Sequence, residues 1–465
     1  MRHDLLLVRP QSVPPLHEDF RPAVLGNRAF SQAVKASGKA VPMRVALVRG
    51  DGSVSTYETQ VFASDAELAA ANLSYAERLL KFLLWQRGGW KAIIGGPKEI
   101  GEHIKQVYSP TGKRAFDYEF MGQTVYEHDF TVEITDAESV PGTSETSAPL
   151  GRHLDGCRVG FDLGASDRKT SAVIDGEDVF TEEVPWDPKG ATDWRYQYEG
   201  IKHSIQRAID HMPKVDAIGG SAAGVYINNR AMVASLFRGI PKPDFEAHIK
   251  PIFEHLGKEF GVPLVVVNDG EVTALAGSMS LEANAVLGVA MGSSEAAGYV
   301  TPEGNITGWL NELAFAPVDF HPNAPVDEWS GDIGCGVQFF CQQGVMRLAA
   351  AAGLQFDDSR SVPERLEDVQ AWMKQGNEQV RKIYDSIGIC LGYTIAHYAD
   401  YYDIEKMLIL GRVTTGEGGD IILEQAQGVV GREFPEVAEK LEMMLPNEKL
   451  RRVGQAIAAA SLPAL

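Results

Sequence analysis

The sequence is poor in cysteine, in long apolar runs and in positive charge. Its four cysteines, Cys157, Cys335, Cys341 and Cys390, form no CxxC pair. Neither a disulfide framework nor a zinc ribbon is indicated, and free thiols are expected. The N-terminal stretch MRHDLLLVRPQSVPPL has only four consecutive apolar residues, and no later stretch nears the ~20 needed to cross a bilayer. No membrane association and a cytoplasmic location are therefore expected. Lys and Arg number 43 against 63 Asp and Glu, a net charge of -20, which repels nucleic-acid backbones and acidic membranes while still allowing local amides and Mg²⁺ to hold a nucleotide. The catalogue of familiar motifs is equally thin. There is no GxxxxGK[ST] and no HExxH, and GGSAA at 219–223 fails GxSxG at its last position. The eleven histidines show no HxH or HxxxH pairing; His203 and His211 read as a solvated helix face. Tyr393, His397, Tyr398, Tyr401 and Tyr402 read as helix packing rather than a base-stacking platform.

What is present is enough for sizeable cores: 465 residues, 44% of them hydrophobic, suit two or three domains. The stretch TDAESVPGTSETSAPLGRH, rich in Ser, Thr, Pro and Gly, marks a linker at 136–153. Before it, residues 1–135 read as a mixed α/β module. It holds two strands around an Asp51-Gly52 turn, a helix over 73–86, a short strand in WKAIIGGP, and a second hairpin over 114–134 turning at Met121-Gly122. This order of strand, turn, strand, helix, strand returns faintly after the linker. From residue 157 strands alternate with helices, which favours a layered α/β architecture.

Three stretches carry candidate chemistry. RVGFDLGASDRKTSAVI ends an apolar strand in Asp162 before a tight turn of Gly164, Ala165 and Ser166, where backbone N–H groups can meet an anion and a carboxylate can hold a metal-bound water. VVVNDGEVTALAG ends a buried strand in Asn268 and Asp269. AVLGVAMGSSEAAGYV breaks a strand with small residues from Gly292 to Gly298. Taken singly, each has a plain reading: a hairpin with an incidental Asp, a helix N-cap at Asp269, a glycine-rich turn.

Their order, followed by GWLNELAFAPVDF and by a helix leading into MLILGRVTTGEGG, resembles the ROK family of sugar kinases and sugar-responsive repressors, over roughly residues 157–430. The resemblance implies a two-lobed hexokinase/actin-like (ribonuclease H-like) ATPase fold in residues 154–465, beside the additional N-terminal mixed α/β domain. The lobe boundary is expected near 268–275, with a C-terminal helix returning to the first lobe. It implies that Asp162, Gly164, Ala165, Ser166, Gly292, Ser293 and Gly411 bind ATP and its phosphates, with Asp162 holding Mg²⁺ through water. Asn268 and Glu312 would hold substrate hydroxyls, and Asp269 would be the general base that takes the hydroxyl proton as the phosphoryl group arrives. The implied partner is a sugar or polyol, and a homodimer or tetramer is expected from the family.

Departures from the family pattern bear on the chemistry. The family's glycine-rich second phosphate turn reads Gly292-Ser293-Ser294-Glu295-Ala296-Ala297-Gly298, with three glycines replaced; if the Glu295 carboxylate faced a γ-phosphate it would repel it by roughly 1–4 kcal/mol. The histidine of the family's Gly-Glu-Ile-Gly-His is Phe315. The family's zinc loop falls on residues 328–337, where only Cys335 remains of its cysteines, so no zinc is expected. Sugar phosphorylation is the leading expectation; a catalytically silent sugar or nucleotide sensor or scaffold is the alternative.

Overall fold

The computed structural model describes residues 4–145, 150–446 and 454–465. The chain divides into two compact units. The first comprises Met1–Thr146, Val289–Ala296 and Gly308–Leu445, and the second Ser147–Gly288, Ala297–Thr307 and Pro446–Leu465. Residues 1–135 thus share a unit with 308–445. Of the expected linker, 146–149 lie outside the described residues.

In the first unit, β1 (Ala40–Val48) and β2 (Val54–Phe62) form an antiparallel hairpin. Asp51 and Gly52 make the turn: Gly52 sits at φ 82° and the Asp51 carboxylate accepts from the Ser53 N–H at 2.9 Å. β3 (Lys91–Gly95) and β4 (Thr131–Thr135) complete a sheet of order β2-β1-β3-β4. The expected hairpin over 114–134 is corrected here. Ala115–Glu119 is helical and continues into a wider-wound turn, Phe120–Tyr126, before β4 runs parallel to β3. Phe120, Met121, Val125 and Tyr126 are buried, so packing overrides their preference for strands.

The second unit is built on a five-stranded sheet of order β11-β8-β5-β6-β7: β5 (Cys157–Leu163), β6 (Asp167–Ile174), β7 (Glu177–Pro185), β8 (Ala217–Ala222) and β11 (Leu264–Asn268). β9 (Val225–Ile227) and β10 (Arg230–Val233) pair separately. β5, β8 and β11 are parallel, and every residue of β5 and β8 is buried, as expected of central strands covered on both faces. The core gathers Val159, Phe161, Ile218, Ile205, Phe253 and Leu256. Against β5 and β8 lies the helix Gln455–Ala460. A Cβ on Gly160 would lie 1.6 Å from the Ala456 carbonyl oxygen, and one on Gly219 would lie 1.7 Å from that of Ala459. Only glycine admits so close a helix. The faint sequence echo does not extend to topology, since β3 is antiparallel to β1 whereas β8 is parallel to β5.

β12 (Val286–Met291) and β13 (Glu295–Val300) each pass from one unit into the other along their length. In the first unit, residues 289–296 join β14 (Lys406–Leu410) and β15 (Glu442–Met444) in a sheet of order β13-β12-β14-β15. The long helix Glu378–Ala399 buries Tyr393, His397 and Tyr398, and Tyr401 and Tyr402 just beyond it are buried too, so the aromatic stripe is packing.

Candidate active site

The expected residues fall into two groups, one in each unit. In the second unit, the parallel register sets Asp162 of β5 beside Ser221 of β8, and Ala222 beside Asn268 of β11. Three strands therefore end together, the usual place for a site in such sheets. Asp162 is buried, and the Ser221 hydroxyl donates to its Oδ1 at 2.6 Å. Burial pushes the Asp162 carboxyl up to about 6; the Ser221 bond and Lys169 oppose this, while the like charges of Asp269 and Asp167 add to it. Past β5, the Gly164 N–H donates to the Asp167 carbonyl at 3.0 Å, closing the turn with Ala165 and Ser166 exposed at its tip. Trp186 steadies the turn by donating from Nε1 to the Gly164 carbonyl at 2.9 Å.

β11 stops at Asn268 because the next residue opens the helix Asp269–Leu281. The cap is Asn268: its Oδ1 accepts the Gly270 N–H at 2.7 Å, and its Nδ2 donates to the Gly224 carbonyl at 2.7 Å. Asp269 occupies the first helical position, where its Oδ1 shares the Gly270 N–H at 3.0 Å. Burial raises the Asp269 carboxyl above its ordinary value, against the hydrogen bond from Gly270. Gly270 and Gly298 let two backbones touch, since a Cβ on Gly270 would lie 2.3 Å from the Ala297 carbonyl oxygen and one on Gly298 would lie 2.1 Å from that of Gly270. The last glycine of the 292–298 stretch therefore serves strand–helix packing.

In the first unit, Gly411 follows β14 at φ 103°, and a Cβ there would lie 2.5 Å from the Met291 carbonyl oxygen. Gly411 is thus pressed against the end of β12, next to Gly292. Gly292 donates to the Ser294 carbonyl at 3.0 Å and accepts from the Gln342 N–H at 2.9 Å, and Ser293 and Ser294 are exposed. Glu295 does not face that exposed turn. It is buried, Tyr398 donates to its Oε1 at 3.2 Å, and its Oε2 lies 2.2 Å from where a Cβ on Gly336 would stand. The feared repulsion of a phosphate by this carboxylate is corrected by its inward direction. Burial pushes Glu295 up to about 8, Tyr398 opposes and Glu312 adds. Glu312 is half-buried, its N–H donating to the Trp85 carbonyl at 2.9 Å.

The 328–337 loop is held by ion pairs. Asp332 meets Arg114 at 2.6 Å and Arg78 at 3.1 Å, with Lys81 at 3.7 Å. Burial alone would raise Asp332; the three cations overcome it and hold the carboxyl well below the ordinary range. Burial pushes the Cys335 thiol up to about 12, and Trp329 packs edge-on against Phe116, Phe120 and Phe315. Among the described residues no three His, Cys, Asp or Glu side chains are grouped to hold a metal ion. The sequence reading missed Ser221, whose only signal was its place in the small-residue strand GGSA, and the cations Arg78, Lys81 and Arg114.

No protein-family model and no curated protein matches the sequence. Solved structures do. One is a ROK family transcriptional regulator described as a homologue of the E. coli MLC protein, at TM-score 0.52 and 16% identity, covering 66% of this chain and 78% of that one. Another is a ROK hexokinase from Thermus thermophilus, at TM-score 0.51 and 18% identity, covering 65% of this chain and 97% of that one. Over about two thirds of its length the chain has the actin-like fold of these ROK proteins.

Proposed function

We propose that the protein phosphorylates a hydroxyl of a sugar or sugar-like molecule with ATP, Asp269 being the general base. The observation that carries this is the division of labour at the end of β11: Asn268 supplies the helix cap, so the carboxylate of Asp269 is not needed for that task. Burial raises its affinity for a proton, which favours the role of acceptor. Likeness in fold to a hexokinase adds support.

The residues fit ATP and Mg²⁺. Asp162 ends a buried strand with Ser221 on one oxygen, and with no cluster of three ligands among the described residues, a hard cation there would keep most of its waters. Bound Mg²⁺ supplies charge neutralisation to the transferred phosphoryl group. Within the second unit, the exposed tip of Ala165 and Ser166 offers backbone to a phosphate. Beside Asp269 in the same unit, the second hydrogen of the Asn268 amide would orient a substrate hydroxyl.

Asp269→Asn keeps shape and helix start but cannot take the proton. Sugar-stimulated ADP formation should fall ~10²–10⁴-fold while the melting temperature holds. Full activity in the folded variant sinks the assignment and favours a sensor without transfer, a reading supported by likeness in fold to a transcriptional regulator.

A further inference from the structure

The first unit contains a carboxyl group that the proposed reaction does not use. Glu295 is 3% exposed, and its Oε2 has no hydrogen-bond partner among the described residues. A buried polar atom left unpaired is costly, and a native structure that retains one calls for an explanation.

Three elements close over this carboxyl. From the helix Glu378–Ala399, Tyr398 donates to Oε1 at 3.2 Å. From the 336–338 turn, Gly336 approaches so nearly that any side chain there would collide with Oε2. From the Leu313–Phe315 turn, the Leu313 carbonyl oxygen borders the same spot, 2.8 Å from the missing Gly336 Cβ. Leu313 directly follows Glu312. The ionisable groups facing Glu295 are Tyr398, Glu312 and Cys341, and none is a cation. An ionised Glu295 would have no positive partner and would repel Glu312. A protonated one carries an O–H on Oε2, beside the spot that the Leu313 carbonyl oxygen also borders.

We propose that the Glu295 carboxyl, in its neutral form, seats the turn that carries Glu312 and is therefore a positioning residue for whatever Glu312 binds. The ligand half of this inference rests on the sugar-phosphorylation reading; the seating of the turn does not. Ionisation of Glu295 unseats the turn, so Glu312 is best placed at neutral pH and loses its position under alkaline conditions. The raised proton affinity that burial gives Glu295 puts this change near pH 8.

The test separates the two halves. Amide hydrogen exchange over residues 311–316, corrected for intrinsic rate, is measured from pH 6.5 to 9.5 in the wild type, Glu295→Gln and Tyr398→Phe. The wild type should lose protection about tenfold between pH 7 and 9. Glu295→Gln, neutral at every pH, should hold it throughout. Tyr398→Phe removes a donor that favours the ionised form, so its loss should begin at higher pH. D-glucose and D-mannose binding by calorimetry is followed over the same range and should decline in each protein where its turn loses protection, and hold throughout in Glu295→Gln. Identical exchange profiles for the wild type and Glu295→Gln overturn the inference. Should the profiles part as expected while neither sugar binds any variant, the seating stands and the failure belongs to the sugar reading.

Discussion

Ser221 donates its hydroxyl hydrogen to Asp162 from the neighbouring parallel strand, 2.6 Å away. With Lys169 on the other neighbouring strand, this bond eases the charge on a carboxyl which burial and Asp269 both disfavour. Because the folded state holds the Asp162 proton more tightly than the unfolded chain does, its stabilising share is complete below the ordinary value of 3.8 and is lost as pH rises through about 6. Asp162→Asn escapes that loss. It should be more stable than the wild type at pH 7 by roughly 2–3 kcal/mol and show no advantage at pH 4. Thermal unfolding at the two pH values checks this. The same variant should lose Mg²⁺-dependent ADP formation, so a gain in stability accompanies a loss of turnover.

Asn268 offers a second separation of roles. Asn268→Asp keeps an acceptor for the Gly270 N–H, whereas Asn268→Ala removes both the cap and the link to the Gly224 carbonyl. The alanine variant should lose about 1–3 kcal/mol, a cap plus an unpaired carbonyl. The aspartate variant should lose only the Gly224 bond. Chemical denaturation of the three proteins distinguishes them.

Asp332 should behave in the opposite sense to Asp162. Its folded-state affinity for a proton is lowered, so its contribution is present above the ordinary value of 3.8 and is lost as pH falls below it. Asp332→Asn leaves Arg78, Lys81 and Arg114 without their shared counter-ion and should cost about 3–5 kcal/mol at pH 7. Dialysis against a chelator should leave the wild-type melting temperature unchanged, because ion pairs brace the 328–337 loop. A melting point that drops on chelation would return a metal to that loop.

Local features were legible in the sequence and distant ones were not. The β1–β2 hairpin was readable from Asp51-Gly52, and the β5–β6 turn from Gly164 to Ser166, because a turn's residues carry their own conformational demands. The 114–134 stretch misled because Phe120, Val125 and Tyr126 favour strands in isolation, whereas burial in the first unit winds them into a helical turn. At the candidate site, Asp162 and Asp269 stood out as carboxylates ending apolar runs. Ser221 did not, since its partner is fixed only by the parallel pairing of β5 with β8. The direction of Glu295 was likewise hidden, for it depends on Gly336 and Tyr398, which lie far along the chain.

The helix Gln455–Ala460, laid on Gly160 and Gly219, also sets a timetable. β5 and β8 emerge from the ribosome early, but one face of them stays bare until this helix has been made, long after the entire first-unit segment 308–445. Completion of the second unit must therefore wait until translation is nearly through residue 462, whose side chain is fully buried. Until then the exposed backbone and apolar face of β5 and β8 are a natural target for chaperones. A nascent chain stalled before residue 455 should remain protease-sensitive in that unit even though its sheet residues have all been synthesised.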